Sequence, residues 1–244
     1  MNELYSMIFK RKSFRKFNTD LKISEKELID IEEKINNLIP LDKYIKVDYK
    51  IVPKEQTTCK RGEYCLLIFS EEKENYLKNI GYMFEQLDLY LASKNIGVCW
   101  YGMGKTSIMK FGSLKYVIML AIGKSLESEF RKDYTKAKRK KTSDIWCGDF
   151  INEIGDVVKY SPSACNTQPW KVVCQNNILK VYRTKVTKCI IPKNKISFYN
   201  SIDIGTFLLF LDITLAYNNI CYEKKLITAS NNLELMPVAE YILN

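Results

Sequence analysis

Histidine is absent from this chain of 244 residues. Imidazole acid/base catalysis, Ser-His triads and mixed Cys/His zinc sites are therefore excluded. The eight cysteines, at positions 59, 65, 99, 147, 165, 174, 189 and 221, form no CxxC pair. Their spacing writes neither a zinc quartet nor a redox motif. No uninterrupted apolar run approaches the roughly 20 residues of a membrane span. The opening MNELYSMIFKRK also lacks the apolar segment and small-residue cleavage site of a signal peptide. A cytoplasmic protein with no membrane partner is the expectation, and disulfides are not expected in that compartment.

What is present is enough apolar material for a sizeable core, 46% of residues, in one large domain or two small ones. Lysine and arginine number 38 against 28 acidic residues, a formal net charge of +10. That excess favours anionic partners. Arg131 to Lys141, RKDYTKAKRKK, holds seven positive groups against one aspartate. A solvated basic loop is the plain reading of such a run. Nucleic-acid binding would need aromatics interleaved on one face with the basic residues, and the tyrosines do not follow that pattern.

The local signals come in a repeated order. SEKELIDIEEKINNLI opens with a serine cap at Ser24 and Glu27 three residues on, then apolar residues at helical spacing. YCLLIFS (64–70) predicts a strand, and residues 75–97 a long helix that is apolar around most of its circumference. VCWYGMGKTS is a strand end entering a glycine turn, and YVIMLAIGKS a second buried strand. The order then begins again: FINEIGDVVKYS as helix, WKVVCQ and ILKVYRT as strands, DIGTFLLFLDITLAYNNI as another apolar helix.

Residues 80–96 and 204–220, aligned without a gap, match at Ile80/Ile204, Gly81/Gly205, Leu87/Leu211, Asp88/Asp212, Leu91/Leu215, Ala92/Ala216, Asn95/Asn219 and Ile96/Ile220. Gly, Asp and Asn are poor generic helix fillers, so shared helicity does not explain the match. A degenerate duplication is expected, with halves at 1–144 and 145–244 packed through the two long helices about a pseudo-twofold axis.

Three motifs carry a resemblance to a known family. RKSFRKF (11–17) resembles the Arg-x-Ser-x-Arg element of FMN-dependent nitroreductases. PSACNTQPW (162–170) resembles their Pro-Ser-x-x-Asn-x-Gln-Pro-Trp element, and GVCWYG (97–102) with the following VIMLAIGKS their flavin-edge turn and strand. In the ordinary family pattern the proline-serine element follows the arginine element closely and the flavin lies at a homodimer interface. Here the corresponding stretch of the first half, NLIPLDKYIKVDYKIV (38–52), has lost the Ser, Asn and Gln, and the intact element stands in the second half. The second half in turn lacks the arginine element and the CWYG turn. The chain thus resembles the two-half nitroreductases in which one chain imitates the family dimer.

The resemblance implies an α+β fold with antiparallel-dominated sheets flanked by helices, one composite site, and one FMN per chain. It implies a chain that is monomeric because it is its own pseudo-dimer. Arg11 and Arg139 are the expected grips on the phosphate, since a planar guanidinium offers paired donors. Lys12, Ser13, Lys138 and Lys140 are further candidates around it. Arg15 is placed at the N1/C2 carbonyl edge of the ring, where a fixed cation stabilises reduced flavin.

Tyr101, Gly102, Met103 and Gly104 are expected near the ring, with backbone amides approaching where a side chain at 102 would crowd. Pro162, Ser163 and Asn166 are expected to contact the flavin from the second half. Gln168 and Trp170 read as structural, and Cys99 and Cys165 as small space-filling residues.

GMG is not a dinucleotide fingerprint, so NAD(P)H is expected as a visiting substrate and not as a Rossmann-bound cofactor. The implied activity is ping-pong electron transfer from NAD(P)H to a nitroaromatic, quinone or similar acceptor. The alternatives are a flavin-binding protein with little turnover and, behind it, a basic nucleic-acid binder.

Overall fold

The structure, a computed structural model, describes residues 2–149, 151, 153–186, 189–228 and 234–244. The chain forms two compact units, Phe9–Tyr134 and a second that joins Met1–Ile8 to Thr135–Asn244. A one-turn helix, α1 (Met7–Lys10), lies where the chain passes from one to the other.

In the unit Phe9–Tyr134, helix α2 (Glu25–Asn36) starts at the expected capping box. Ser24 Oγ accepts the Glu27 N–H at 3.3 Å, and Glu27 accepts the Ser24 N–H at 2.9 Å. Two first-turn donors are thereby satisfied. Ile31 and Ile35 are its buried stripe. Strands β1 (Val47–Pro53), β2 (Tyr64–Ser70), β3 (Ile96–Trp100), β4 (Lys110–Phe111) and β5 (Leu114–Lys124) form an antiparallel sheet in the order β1-β2-β5-β3, with β4 paired to β5. β2 lies between two neighbours and is buried from Cys65 to Ser70, which accounts for its unbroken apolar run. Helix α3 (Tyr76–Ser93) follows β2, and Asn95 in the left-handed conformation (φ 55°) turns the chain directly into β3.

The other unit repeats this plan. Strand β6 (Trp146–Gly148) pairs parallel with β7 (Trp170–Gln175), and the sheet continues through β8 (Ile178–Thr184) and β10 (Leu235–Leu243) to β9 (Tyr222–Leu226). Strands β7 and β8 lie where the sequence puts them.

Short helices α4 (Thr142–Ile145) and α5 (Ile154–Val158) precede β7. The helix expected over 150–161 is thus reduced to five residues. Its expected start, Phe150 and Asn152, lies outside the described residues.

Helix α6 (Lys193–Tyr217) follows β8 and begins ten residues before the expected 203. It is apolar enough by composition to cross a membrane, but 72% of its apolar window is buried, as in the core helix of a domain. Asn2–Leu4 forms a turn against α6, and the ring of Tyr5 stacks on Tyr217 at 3.6 Å.

Candidate functional site

The Arg-x-Ser-x-Arg segment is held as a partial extra edge on β3. Ser13 bridges Val98 in parallel sense, and the Phe14 N–H donates to the Val98 carbonyl at 2.9 Å. Two glycines make room for it. Gly97 and Gly123 face each other across β3 and β5. A methyl on Gly97 would stand 2.6 Å from the Phe14 ring, and one on Gly123 2.8 Å from Phe17. The absent side chains let both aromatic rings lie on the sheet.

Burial divides the segment's side chains three residues apart, with Arg11 and Phe14 inside. Arg11 turns inward and is 2% exposed. Its Nη2 donates to Asp88 at 2.9 Å and its Nε lies 3.4 Å from Glu85. Glu85 also accepts the Trp100 indole N–H at 3.2 Å. Burial opposes the charge on Arg11, but the two carboxylates outweigh it and raise its pKa above the ordinary value.

The phosphate grip expected of Arg11 is therefore corrected. Its guanidinium is committed to carboxylates three residues apart on α3 and braces the segment from within. Lys12, Ser13 and Arg15 face outward instead. With Lys16, Ser128, Lys132 and one carboxylate, Glu129, which accepts the Leu126 N–H at 2.7 Å, they line an open cleft of about 470 Å³.

The turn of Tyr101, Gly102, Met103 and Gly104 leaves β3 after Trp100. The Tyr101 N–H donates to Met119 O at 2.9 Å, and Gly104 N–H closes back on Tyr101 O at 3.1 Å. Gly102 is half-buried, and Met103 stands 81% exposed at the tip. The turn is latched to the loop before β2, since Thr58 and Lys105 exchange hydrogen bonds of 2.8 and 2.9 Å.

The unit containing PSACNTQPW holds a second cluster. Arg139 Nη1 donates to Asn166 Oδ1 at 3.0 Å and its Nη2 to the Tyr160 carbonyl at 3.2 Å. Asn166 Nδ2 donates to the Lys138 carbonyl at 3.1 Å. The Lys140 N–H donates to Gln168 Oε1 at 2.8 Å, and its ammonium to the Gln168 carbonyl at 2.9 Å. Burial lowers the Lys140 pKa, and Asp144 only partly opposes this.

The end of the basic run is thus tied to the Asn166 loop through Arg139 and Lys140, while Lys138 and Lys140 stay exposed, as a solvated run would be. Within the loop, Ser163 Oγ accepts the Gln168 N–H at 2.9 Å. Cys165, Asn166 and Gln168 all take left-handed backbone conformations, with φ of 52°, 56° and 47°. Three such residues without glycine store strain, a property that clusters at ligand sites.

Sequence reasoning missed what holds this loop in place. Helix α6 presents Asn200, Asp203 and Thr206 to it at intervals of three. Thr167 donates to Asn200 Oδ1 at 3.4 Å, Asp203 Oδ1 accepts the Ala164 N–H at 2.9 Å, and Thr206 donates to the Pro162 carbonyl at 3.1 Å. Asp203 Oδ2 is buried without a hydrogen-bond partner among the described residues. Burial holds this carboxyl well above the usual carboxylate range, and the Ala164 N–H offsets that only in part. Polar residues every third position in an apolar helix were the available signal. Trp170, 1% exposed and stacked on Phe207 at 4.9 Å, has the structural place expected of it.

The family model described as "Putative TM nitroreductase" matches residues 3–215. Among solved structures the chain is similar to a putative nitroreductase from Thermotoga maritima, at 19% identity and TM-score 0.65, over 99% of this chain and 94% of that one. At that identity the likeness establishes an α+β nitroreductase-like fold.

The chain is also similar to a nitroreductase family protein from Clostridium difficile, at 11% identity and TM-score 0.44, over 59% of this chain and 96% of that one. A similar partial match is a putative NADH dehydrogenase/NAD(P)H nitroreductase from Parabacteroides distasonis, at 12% identity and TM-score 0.39, over 58% of this chain and 99% of that one. No curated protein matches.

Proposed function

The chain belongs to the nitroreductase family, and from that membership we propose that it is a cytoplasmic FMN-dependent NAD(P)H oxidoreductase acting on nitroaromatic, quinone or similar acceptors. The observation that carries the cofactor assignment is the cleft of Lys12, Ser13, Arg15, Lys16 and Lys132. Four cations and two hydroxyls gathered there, against the single carboxylate of Glu129, suit a phosphate dianion and the polar chain next to it. In its own unit the strained loop 163–168, braced by Arg139 and by α6, has a backbone that is fixed before anything binds, as a ligand-contacting loop requires.

FMN, when bound, supplies the two-electron chemistry that links nicotinamide oxidation to acceptor reduction. The residues of this chain bind and tune. Lys12, Ser13, Lys16 and Lys132 hold the phosphate end, with Arg139 and Lys138 as further cations. Arg15 provides positive charge for the N1/C2 carbonyl edge, which lowers the cost of negative charge there. Tyr101, Gly102, Met103 and Gly104 supply the ring-edge turn, and Pro162, Ser163 and Asn166 are further contact residues. Arg11 acts at one remove, because its ion pairs fix the segment that carries Ser13 and Arg15. No proton needs to be held by a histidine in this scheme.

One FMN per chain is part of the proposal, since each motif survives in a single intact copy. The test is to saturate the purified protein with FMN, remove free flavin, and quantify flavin and protein separately. NADH and NADPH oxidation is then followed with a nitroaromatic acceptor. About one retained FMN per chain with acceptor-dependent turnover is expected. Retained flavin without turnover on several acceptors would leave a binding protein, and two FMN per chain would contradict the single site.

A further inference from the structure

Three thiols meet inside the unit Phe9–Tyr134. Cys59 on the loop before β2, Cys65 in β2 and Cys99 in β3 are 5%, 0% and 4% exposed and share one cluster with Val52, Leu67 and Met119. Structural cysteines usually pack singly against carbon. These are wired to one another by polar groups. Thr57 Oγ1 accepts the Cys59 N–H at 3.0 Å and lies 3.4 Å from Cys65 Sγ. The Cys59 thiol lies 3.6 Å from the Arg61 carbonyl, and Arg61 Nη1 lies 3.1 Å from Cys99 Sγ.

The arrangement separates the three chemically. The hydrogen bond with Cys65 is the main influence that brings Cys59 down to about 7; burial opposes it, while Arg61 and Lys54 assist. The same bond raises Cys65, with burial adding to it, and burial raises Cys99. Thr57 touches both Cys59 and Cys65 within one cluster, and two neighbouring thiols of unequal acidity are the pairing that disulfide formation requires.

We propose that Cys59 and Cys65 form a reactive dithiol that a hydroperoxide oxidises to an intramolecular disulfide and that a low-molecular-weight thiol restores. Only a small oxidant suits the slight exposure of Cys59. The Cys59 sulfur attacks the terminal peroxide oxygen and the O–O bond breaks, leaving Cys59 as a sulfenic acid and releasing water or an alcohol. The Cys65 sulfur then attacks the Cys59 sulfur. The S–S bond forms, the S–O bond breaks, and the Cys65 proton leaves with the hydroxyl as water. Two thiols lose two electrons in total, and the peroxide gains them. Two equivalents of the external thiol reverse the change and become its disulfide.

The experiment treats the full chain near pH 7 with limiting hydrogen peroxide, blocks remaining thiols with N-ethylmaleimide, and maps tryptic peptides. Cleavage after Lys60 and Arg61 separates the two cysteines, so their disulfide appears as a linked peptide pair. The pair is expected to form before the exposed Cys165 and Cys221 react, and to vanish after dithiothreitol. It should persist in Cys99→Ser and be lost in Cys59→Ser and Cys65→Ser. Oxidation of Cys165 and Cys221 while Cys59 and Cys65 stay alkylatable would overturn the proposal. So would oxygen addition at Cys59 without a linked pair. Both outcomes are readable in the wild-type protein, whatever the variants do to folding.

Discussion

Helices α3 and α6 occupy the same place in two copies of one plan. α3 follows β2, α6 follows β8, and each leads into an edge strand; the sheets share the order β1-β2-β5-β3 and β7-β8-β10-β9, with β6 added beyond β7 in the second. Their aligned positions sort into scaffold and function. Asn95 and Asn219 both end the helix in left-handed conformation, at φ 55° and 56°. One step before the aligned block, Asn79 and Asp203 do the same task. Asn79 Oδ1 accepts the N–H groups of Leu41 and Asp42, and Asp203 Oδ1 that of Ala164, each holding the loop that precedes its sheet. The matched Asp88 and Asp212 serve different partners: buried Arg11 for one, Lys224 at 2.5 Å and the Tyr241 hydroxyl at 2.8 Å for the other. Positions that agree build the fold, and those whose partners changed mark where each copy specialised.

The largest expected effect tests that last difference. Asp88→Ala leaves the 2%-exposed Arg11 with one carboxylate fewer, and removing a partner from a buried ion pair costs about 3–5 kcal/mol. Asp212→Ala should cost less, about 1–3 kcal/mol, because Lys224 can turn to water and only the tyrosine hydroxyl is left wanting. Urea unfolding of both variants decides it; equal losses would break the asymmetry drawn here.

Next in size is Arg15→Ala, in the motif that only one copy retains. Turnover is expected to fall about 100-fold, the scale on which a removed electrostatic stabiliser acts, with folding unchanged. A stopped-flow measurement of flavin reduction reads it directly, together with a lower reduction potential.

Asp203→Asn converts one copy to the residue of the other. Because burial raises its folded pKa, the folded state keeps a proton that the unfolded chain releases above about pH 4. This contribution is complete below that pH and is lost as pH rises toward the folded value. The variant lacks that limb, so it should match the wild type near pH 4 and exceed it by about 1–3 kcal/mol at pH 7. Melting curves at several pH values give the slope; parallel curves would count against a protonated Asp203.

The smallest effect concerns the starts of helices α2 and α5. Ser24→Ala should cost about 1 kcal/mol through loss of the capping box. Helix α5 starts instead at Glu153 in left-handed conformation, with no side-chain cap among the described residues, so Glu153→Gly should cost nothing or stabilise slightly. Thermal melts resolve both.

Much of this was legible in the sequence because local physics wrote it. β2, β7 and β8 have the bounds of their apolar runs, and the Ser24 box closes as its spacing requires. Strand β9, YEKKL, was not legible, because an edge strand with alternate residues exposed carries little apolar signal. β10 was hidden by Pro237 at a bulge. The inward turn of Arg11 depends on Asp88, 77 residues away. Nor could spacing reveal that Arg139 meets Asn166, 27 residues on.

The facing glycines of β3 and β5 set a rule of inheritance. Phe14 and Phe17 fill the space that Gly97 and Gly123 leave open, so no one of these positions is free to drift alone. A lineage that enlarges Gly97 must shrink Phe14 in step, and a chain that has lost one partner has no further use for the other. Among distant relatives the four positions should be gained and lost together, as a single hereditary character that is more durable than the percentage identity around it.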